Sequence, residues 1–128
     1  MRVRHYGLAC RSEETADRFY EELLGLKKSE RKTVPAALAE PLFGLSRDLE
    51  VLNYADEGVH FEVFIQEREP SVVVSPAHIC LEVEDFDAFL ERCRALNVPV
   101  SRAPRGDRWI TFVQDYDGNL FEIKAAAA

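Results

Sequence analysis

The chain carries one pattern twice, and a repeat of this kind restricts the fold to two like modules. The first copy opens on His5-Tyr6-Gly7-Leu8, runs through a helix-like stretch and closes on Phe61-Glu62-Val63. The second opens on His78-Ile79-Cys80-Leu81 and closes on Phe121-Glu122-Ile123. Each copy holds one histidine and one glutamate at matching places. Two imidazoles and two carboxylates make a ligand set suited to a divalent metal.

Periodicity gives each copy the same order of elements. Residues 2 to 10 alternate as a strand, with His5, Gly7 and Ala9 on one face and the greasier Tyr6, Leu8 and Cys10 on the other. Ser12 is placed to cap a helix, with Glu13 and Glu14 in the first turn where the dipole favours them. Ala16, Phe19, Tyr20, Leu23 and Leu24 follow at helical spacing, and Gly25 predicts the stop. In the second copy Ala77, Ile79, Leu81 and Val83 share one strand face, and His78, Cys80 and Glu82 the other. Asp85 then caps a helix striped by Phe86, Phe89, Leu90, Cys93 and Leu96, with Asn97 and Pro99 ending it. The remaining strands are expected over 49–54, 59–66, 109–114 and 120–124, with Asp117-Gly118 as a hairpin turn.

This makes an α+β protein of two β-α-β-β-β modules, about 1–68 and 76–124, in one domain over 1–128. The stretch from Glu67 to Pro76 reads as the linker, and Ala125 to Ala128 as a frayed end. The copies differ in length. His5 and Glu62 lie 57 positions apart and His78 and Glu122 lie 44 apart, a difference of 13. The extra residues fall mostly within 32–46 and predict a short helix or a lid. In every strand bearing a candidate ligand the apolar set falls on the opposite face. His5, Glu62, His78 and Glu122 are thus expected on the concave side of curved mixed sheets, converging in a metal-binding cup if the halves pair.

Composition excludes some partners. A net charge of −7 disfavours nucleic acid and anionic membranes, whose phosphates attract basic patches. No apolar run approaches the roughly 20 residues that span a bilayer. The opening basic residues are not followed by the apolar run of a secretory signal. Cys10, Cys80 and Cys93 are odd in number and lack CxxC spacing, so reduced thiols in a cytoplasmic protein are expected.

The run Ala16-Asp17-Arg18-Phe19-Tyr20-Glu21-Glu22-Leu23-Leu24-Gly25-Leu26 and the stretch Phe112-Val113-Gln114-Asp115-Tyr116-Asp117-Gly118-Asn119-Leu120-Phe121-Glu122 add a further signal. With the openings Val3 to Leu8 and Ala77 to Val83, they resemble the vicinal oxygen chelate superfamily of glyoxalases, bleomycin-resistance proteins and dioxygenases. The order His5, Glu62, His78, Glu122 resembles bacterial glyoxalase I. Fosfomycin-resistance proteins and extradiol dioxygenases resemble the chain with two His and one Glu, and bleomycin-binding proteins lack the metal ligands.

The resemblance implies one octahedral divalent metal per site (nickel, cobalt, zinc, manganese or iron) with waters that a small-molecule substrate displaces. It implies a lyase or isomerase in which two neighbouring substrate oxygens meet a Lewis acid, an enediolate forms as a proton leaves the adjacent carbon, and Glu122 or Glu62 is the base. It also implies a homodimer in which modules of two chains complete each site. No organic cofactor is implied. Ala9 stands where glutathione-dependent glyoxalases have an arginine, and Gln66 where they have an asparagine, so glutathione is not assigned. A non-catalytic small-molecule-binding or resistance protein and a metal-dependent dioxygenase are the alternatives.

Other residues have a functional and a plainer reading. His60 is a base beside Glu62 or a rim residue, and Cys80 a thiolate ligand or a lining residue. Arg105, Asp107 and Arg108 form an anion clamp or a solvated turn. Phe64, Trp109 and Tyr54 line a pocket or pack the core. Glu82 is a rim carboxylate.

Overall fold

The computed structural model describes residues 1–67 and 74–127, which fall into two compact units, Met1–Glu69 and Pro70–Ala128. Most of the expected linker, residues 68–73, lies outside the described residues. Each unit is a curved mixed sheet with a helix on one face.

The first unit holds β1 (Tyr6–Cys10), α1 (Glu13–Ala16, continued as a π-helix over Asp17–Leu23), β2 (Lys27–Lys28), β3 (Lys32–Val34), α2 (Ala36–Phe43), β4 (Leu49–Ala55) and β5 (His60–Ile65). Its strand order is β1-β5-β4-β2, with β3 also on β4. The second unit holds β6 (Ile79–Val83), α3 (Phe86–Ala95), β7 (Val100–Arg105), β8 (Arg108–Gln114) and β9 (Leu120–Ala125), in the order β6-β9-β8-β7. In both units the first strand runs parallel to the last, and the remaining pairs are antiparallel. The helix supplies the crossover that a parallel pair requires.

Both helices start and stop where the sequence predicts. The Ser12 hydroxyl accepts from Thr15 N at 3.2 Å, and the Asp85 carboxylate from Ala88 N at 3.0 Å. Gly25 and Asn97 close them in the left-handed region, at φ 72° and 55°. The first helix differs from expectation in its winding. From Asp17 it widens to π geometry, and Leu24 N bonds Phe19 O at 3.0 Å. This turn presents Phe19, Tyr20 and Leu23 together to the sheet, where all three are fully buried. Tyr20 packs on Phe61 and Tyr54 with ring centres 5.4 and 5.5 Å apart. In the second unit Phe89 and Cys93 of α3 are buried, as are Val113, Phe121 and Ile123 of the sheet.

Three strands carry no periodic signal. β2 and β3 are only two and three residues long, and β7 is exposed at all six positions. They lie at sheet edges or beside one, where alternation is not enforced by burial, and Pro104 is tolerated in β7 for the same reason. The end of the chain is a correction. Ala125 pairs with Val83 in β9, and Ala126 N bonds Val83 O at 2.9 Å, so the alanines start inside the sheet rather than frayed.

The length difference between the copies is explained by α2. Residues 36–43 form a helix ended by Gly44 at φ 74°. Phe43 at its end meets Phe64 edge-on, with centroids 5.5 Å apart. The second unit passes from β7 to β8 through the Gly106-Asp107 turn, with no helix there.

Candidate metal centre

Strand register places the candidate ligands equivalently in the two units. In the first, Gly7 is the partner of Glu62, and His5 lies two residues before Gly7. In the second, Cys80 is the partner of Glu122, and His78 lies two residues before Cys80. The repeat therefore extends to the pairing of individual residues. Phe61, Val63, Phe121 and Ile123, the neighbours of the two glutamates, are buried on the helix side. Alternation turns Glu62 and Glu122 to the other face.

In each unit the histidine meets the glutamate. His5 Nε2 lies 2.7 Å from Glu62 Oε1. His78 Nε2 lies 3.6 Å from Glu122 Oε1. The second pair is the more informative, because its ring is oriented by a backbone partner. His78 Nδ1 sits 2.8 Å from the carbonyl oxygen of Pro76, which only accepts, so Nδ1 carries the proton and donates it. The other ring nitrogen, Nε2, is thereby turned toward the Glu122 carboxylate. A cation between the two atoms, a proton or a metal ion, would satisfy both. Metal-ligating histidines are oriented in this way, with the second ring nitrogen tied to a backbone carbonyl or carboxylate. Phe112 packs edge-on against the His78 ring at 4.8 Å and fixes its plane.

Turn chemistry sets where the two glutamates fall. Asp115 is buried at the β8–β9 turn, and its Oδ1 accepts from the backbone N–H of Asp117 and of Asn119, each at 2.9 Å. Its Oδ2 accepts from Asn119 Nδ2 at 2.7 Å, and Gly118 supplies φ 89°. Asp56 does the same work between β4 and β5, accepting from Gly58 N and Val59 N at 2.7 and 2.9 Å. A one-residue slip in either hairpin would turn its glutamate to the helix side. The Asp-Gly signal is thus structural, and its effect on the site is through register.

The other residues singled out by sequence take the following places. His60 Nε2 lies 2.8 Å from Asn53 Oδ1, and its ring is 5.8 Å from that of His5. Asn53, buried and the register partner of Glu62, also donates to Glu30 O at 3.1 Å. Sequence reasoning missed this asparagine, whose only signal is a polar residue in an apolar strand. Cys80 is exposed, and its thiol is pushed up by partial desolvation and then by the Glu122 carboxylate, which favours the protonated form.

Arg105 and Arg108 are paired at the ends of β7 and β8, with Asp107 in the turn between them. The guanidinium of Arg102 lies between the rings of Phe86 and Trp109, at 5.8 and 5.5 Å, and its Nε donates to Thr111 Oγ1 at 3.0 Å. Tyr54 is fully buried core, Phe64 is half-buried on the ligand face, and Glu82 is exposed.

No helix among the described residues is long and apolar enough to cross a membrane. No curated protein matches the chain. Solved structures do. A glyoxalase family protein from Bacillus cereus aligns at TM-score 0.75 and 15% identity, over 100% of this chain and 95% of that one. A glyoxalase family protein from Enterococcus faecalis aligns at TM-score 0.70 and 18% identity, over 95% of each chain. The fosfomycin resistance protein FosX from Listeria monocytogenes, in complex with Mn(II) and sulfate, aligns at TM-score 0.72 and 17% identity, over 98% and 90%. At these identities the likeness shows the fold. The sequence pattern of one family covers residues 2–123, and the chain therefore belongs to the Glyoxalase/Bleomycin resistance protein/Dioxygenase superfamily.

Proposed function

We propose that His5, Glu62, His78 and Glu122 ligate one divalent metal per site and that the protein is a lyase or isomerase of glyoxalase I type. Its substrate would be a small molecule with two neighbouring oxygens. The observation that carries this reading is the orientation of His78, whose Nδ1–H on Pro76 O turns Nε2 toward Glu122. The His5–Glu62 pair at the equivalent register supports it. Two histidines and two carboxylates suit nickel, cobalt, zinc, manganese or iron.

The cation, when bound, supplies Lewis acidity toward the substrate oxygens. Moving a proton falls to the carboxylates. Glu122 or Glu62 would be the base that takes a proton from the carbon beside the carbonyl and returns one to its neighbour. Two carboxylates holding one dication would leave the site near neutral.

The protein is proposed as a homodimer, with His5 and Glu62 of one chain meeting His78 and Glu122 of the other. Mixing His5→Ala with His78→Ala protein tests this. A shared site predicts that about a quarter of wild-type metal returns, because half of randomly mixed dimers are hybrids with one intact site of two. A site within one chain predicts no recovery.

Turnover is tested by following proton exchange at the substrate carbon in deuterated water, with 2-oxoaldehydes and hydroxy-acid thioesters as candidates. Exchange that Glu122→Gln abolishes supports an enzyme. Binding without exchange points to a sequestering protein.

A further inference from the structure

The ligand face of the first unit is not open along its whole length. A cavity of about 280 Å³ begins one register step from Glu62. Its walls include Gly7 and Ala9 of β1, Phe64 of β5, Leu49 of β4, Phe43 of α2 and Leu45 in the loop after it. Gly7 is the register partner of Glu62 and Ala9 that of Phe64, so the small residues of β1 form a floor leading away from the ligand pair. Gln66 is the polar side chain among its lining residues, and no charged side chain lines it.

We propose that this cavity is the subsite for an uncharged, apolar substituent of the substrate, attached next to the two oxygens. The inference rests on the metal reading above and adds the substrate's shape to it. A cavity of roughly 150 Å³ lined by Leu, Ile and Phe takes a benzene ring, so this one holds a phenyl group or a chain of about six carbons. A carboxylate or phosphonate tail would be desolvated there with no cation to pair it. The subsite is a product of the repeat's asymmetry. The end of α2 supplies one of its walls, and the second unit has no helix between β7 and β8. The 13 additional residues of the first copy thus act in specificity.

Metal-loaded protein should be titrated with three hydroxamates, which present the same pair of oxygens on different tails: acetohydroxamate, benzohydroxamate and the monohydroxamate of succinic acid. Burial of a phenyl ring predicts that benzohydroxamate binds roughly tenfold tighter than acetohydroxamate or better. The succinyl probe should bind no tighter than acetohydroxamate. Ala9→Leu, which fills the cavity, should bring benzohydroxamate and acetohydroxamate within about twofold of each other. Leu45→Lys, in the loop after α2, should shift preference to the succinyl probe.

Equal affinity for the two neutral probes in the wild type, or preference for the anionic tail, would overturn the proposal. Metal content, measured on the same samples, decides the metal reading separately. Should the protein hold no metal, toluene and methyl NMR test the cavity alone. Shifts at Leu45 and Leu49 that Ala9→Leu removes sustain an apolar subsite, and their absence overturns it.

Discussion

His78 and His60 show how one residue type takes different work from its surroundings. His78 donates Nδ1–H to a carbonyl and turns Nε2 toward Glu122, while His60 Nε2 meets Asn53. His78→Ala should therefore remove metal, and His60→Ala should leave it in place, as read by metal content. Equal loss in both variants would overturn the ligand assignment. Glu122→Gln keeps the shape of the side chain but removes its basicity and charge, so it should lower turnover by about 10²–10⁴-fold and weaken metal binding.

The thiols divide in a similar way. Cys10 and Cys93 are buried and Cys80 is exposed, and burial pushes the Cys93 thiol up to about 11. A thiol reagent at neutral pH should modify Cys80 alone in the native protein and all three after unfolding, which mass spectrometry resolves. At this scale the sequence was informative about the four candidate ligands, because they recur at matching places. It was silent about Asn53, whose importance lies in its pairing with His60 across two strands.

Among the elements, the turns contribute most to the site. Asp115→Ala removes the acceptor of two backbone N–H groups and one amide at the β8–β9 turn. The loss should cost about 3 kcal/mol, read from denaturant unfolding, because bonds to a charged acceptor contribute roughly 1.5–3 kcal/mol each and are not additive.

The first helix is tied down by charge as well as by packing. Lys28 bonds Glu13 and lies 2.9 Å from Asp17, which also accepts from Tyr54 Oη at 2.7 Å. Hydrogen bonds from Lys28, then from Arg31, hold Glu13 below its ordinary value of 4.5. A carboxylate whose folded value is depressed adds stability above its unfolded value, and that stability is lost as pH falls through the folded value. The gap in stability between wild type and Glu13→Gln should thus be present at pH 6 and shrink progressively as pH falls below the ordinary value of 4.5. It will be small, under about 1 kcal/mol, since the group is partly exposed.

Helices and central strands were legible because burial enforces their period. The π-turn over Asp17–Leu23 was not, since it keeps the same buried residues at slightly altered spacing. The edge strands β2, β3 and β7 were not, for lack of a buried face.

For the whole molecule, the repeat is the organising fact. Two sheets of the same strand order, each with a parallel first-to-last pair, carry one His–Glu pair each at the same register. The α+β class and the family were legible in the sequence because the repeat extends over nearly the whole chain and the run Ala16 to Leu26 carries the family's pattern. The apolar cavity was not, because it depends on Phe43 reaching Phe64 from an insertion with no periodicity of its own.

Whether the four repeated residues hold a metal is decided by metal content. Purified protein and the His78→Ala variant should be incubated with nickel, cobalt, zinc and manganese, desalted, and measured by mass spectrometry. The wild type should hold about one divalent ion per chain, and the variant should lose it. An absence of metal from the wild type, or equal metal in both, would contradict the ligand assignment.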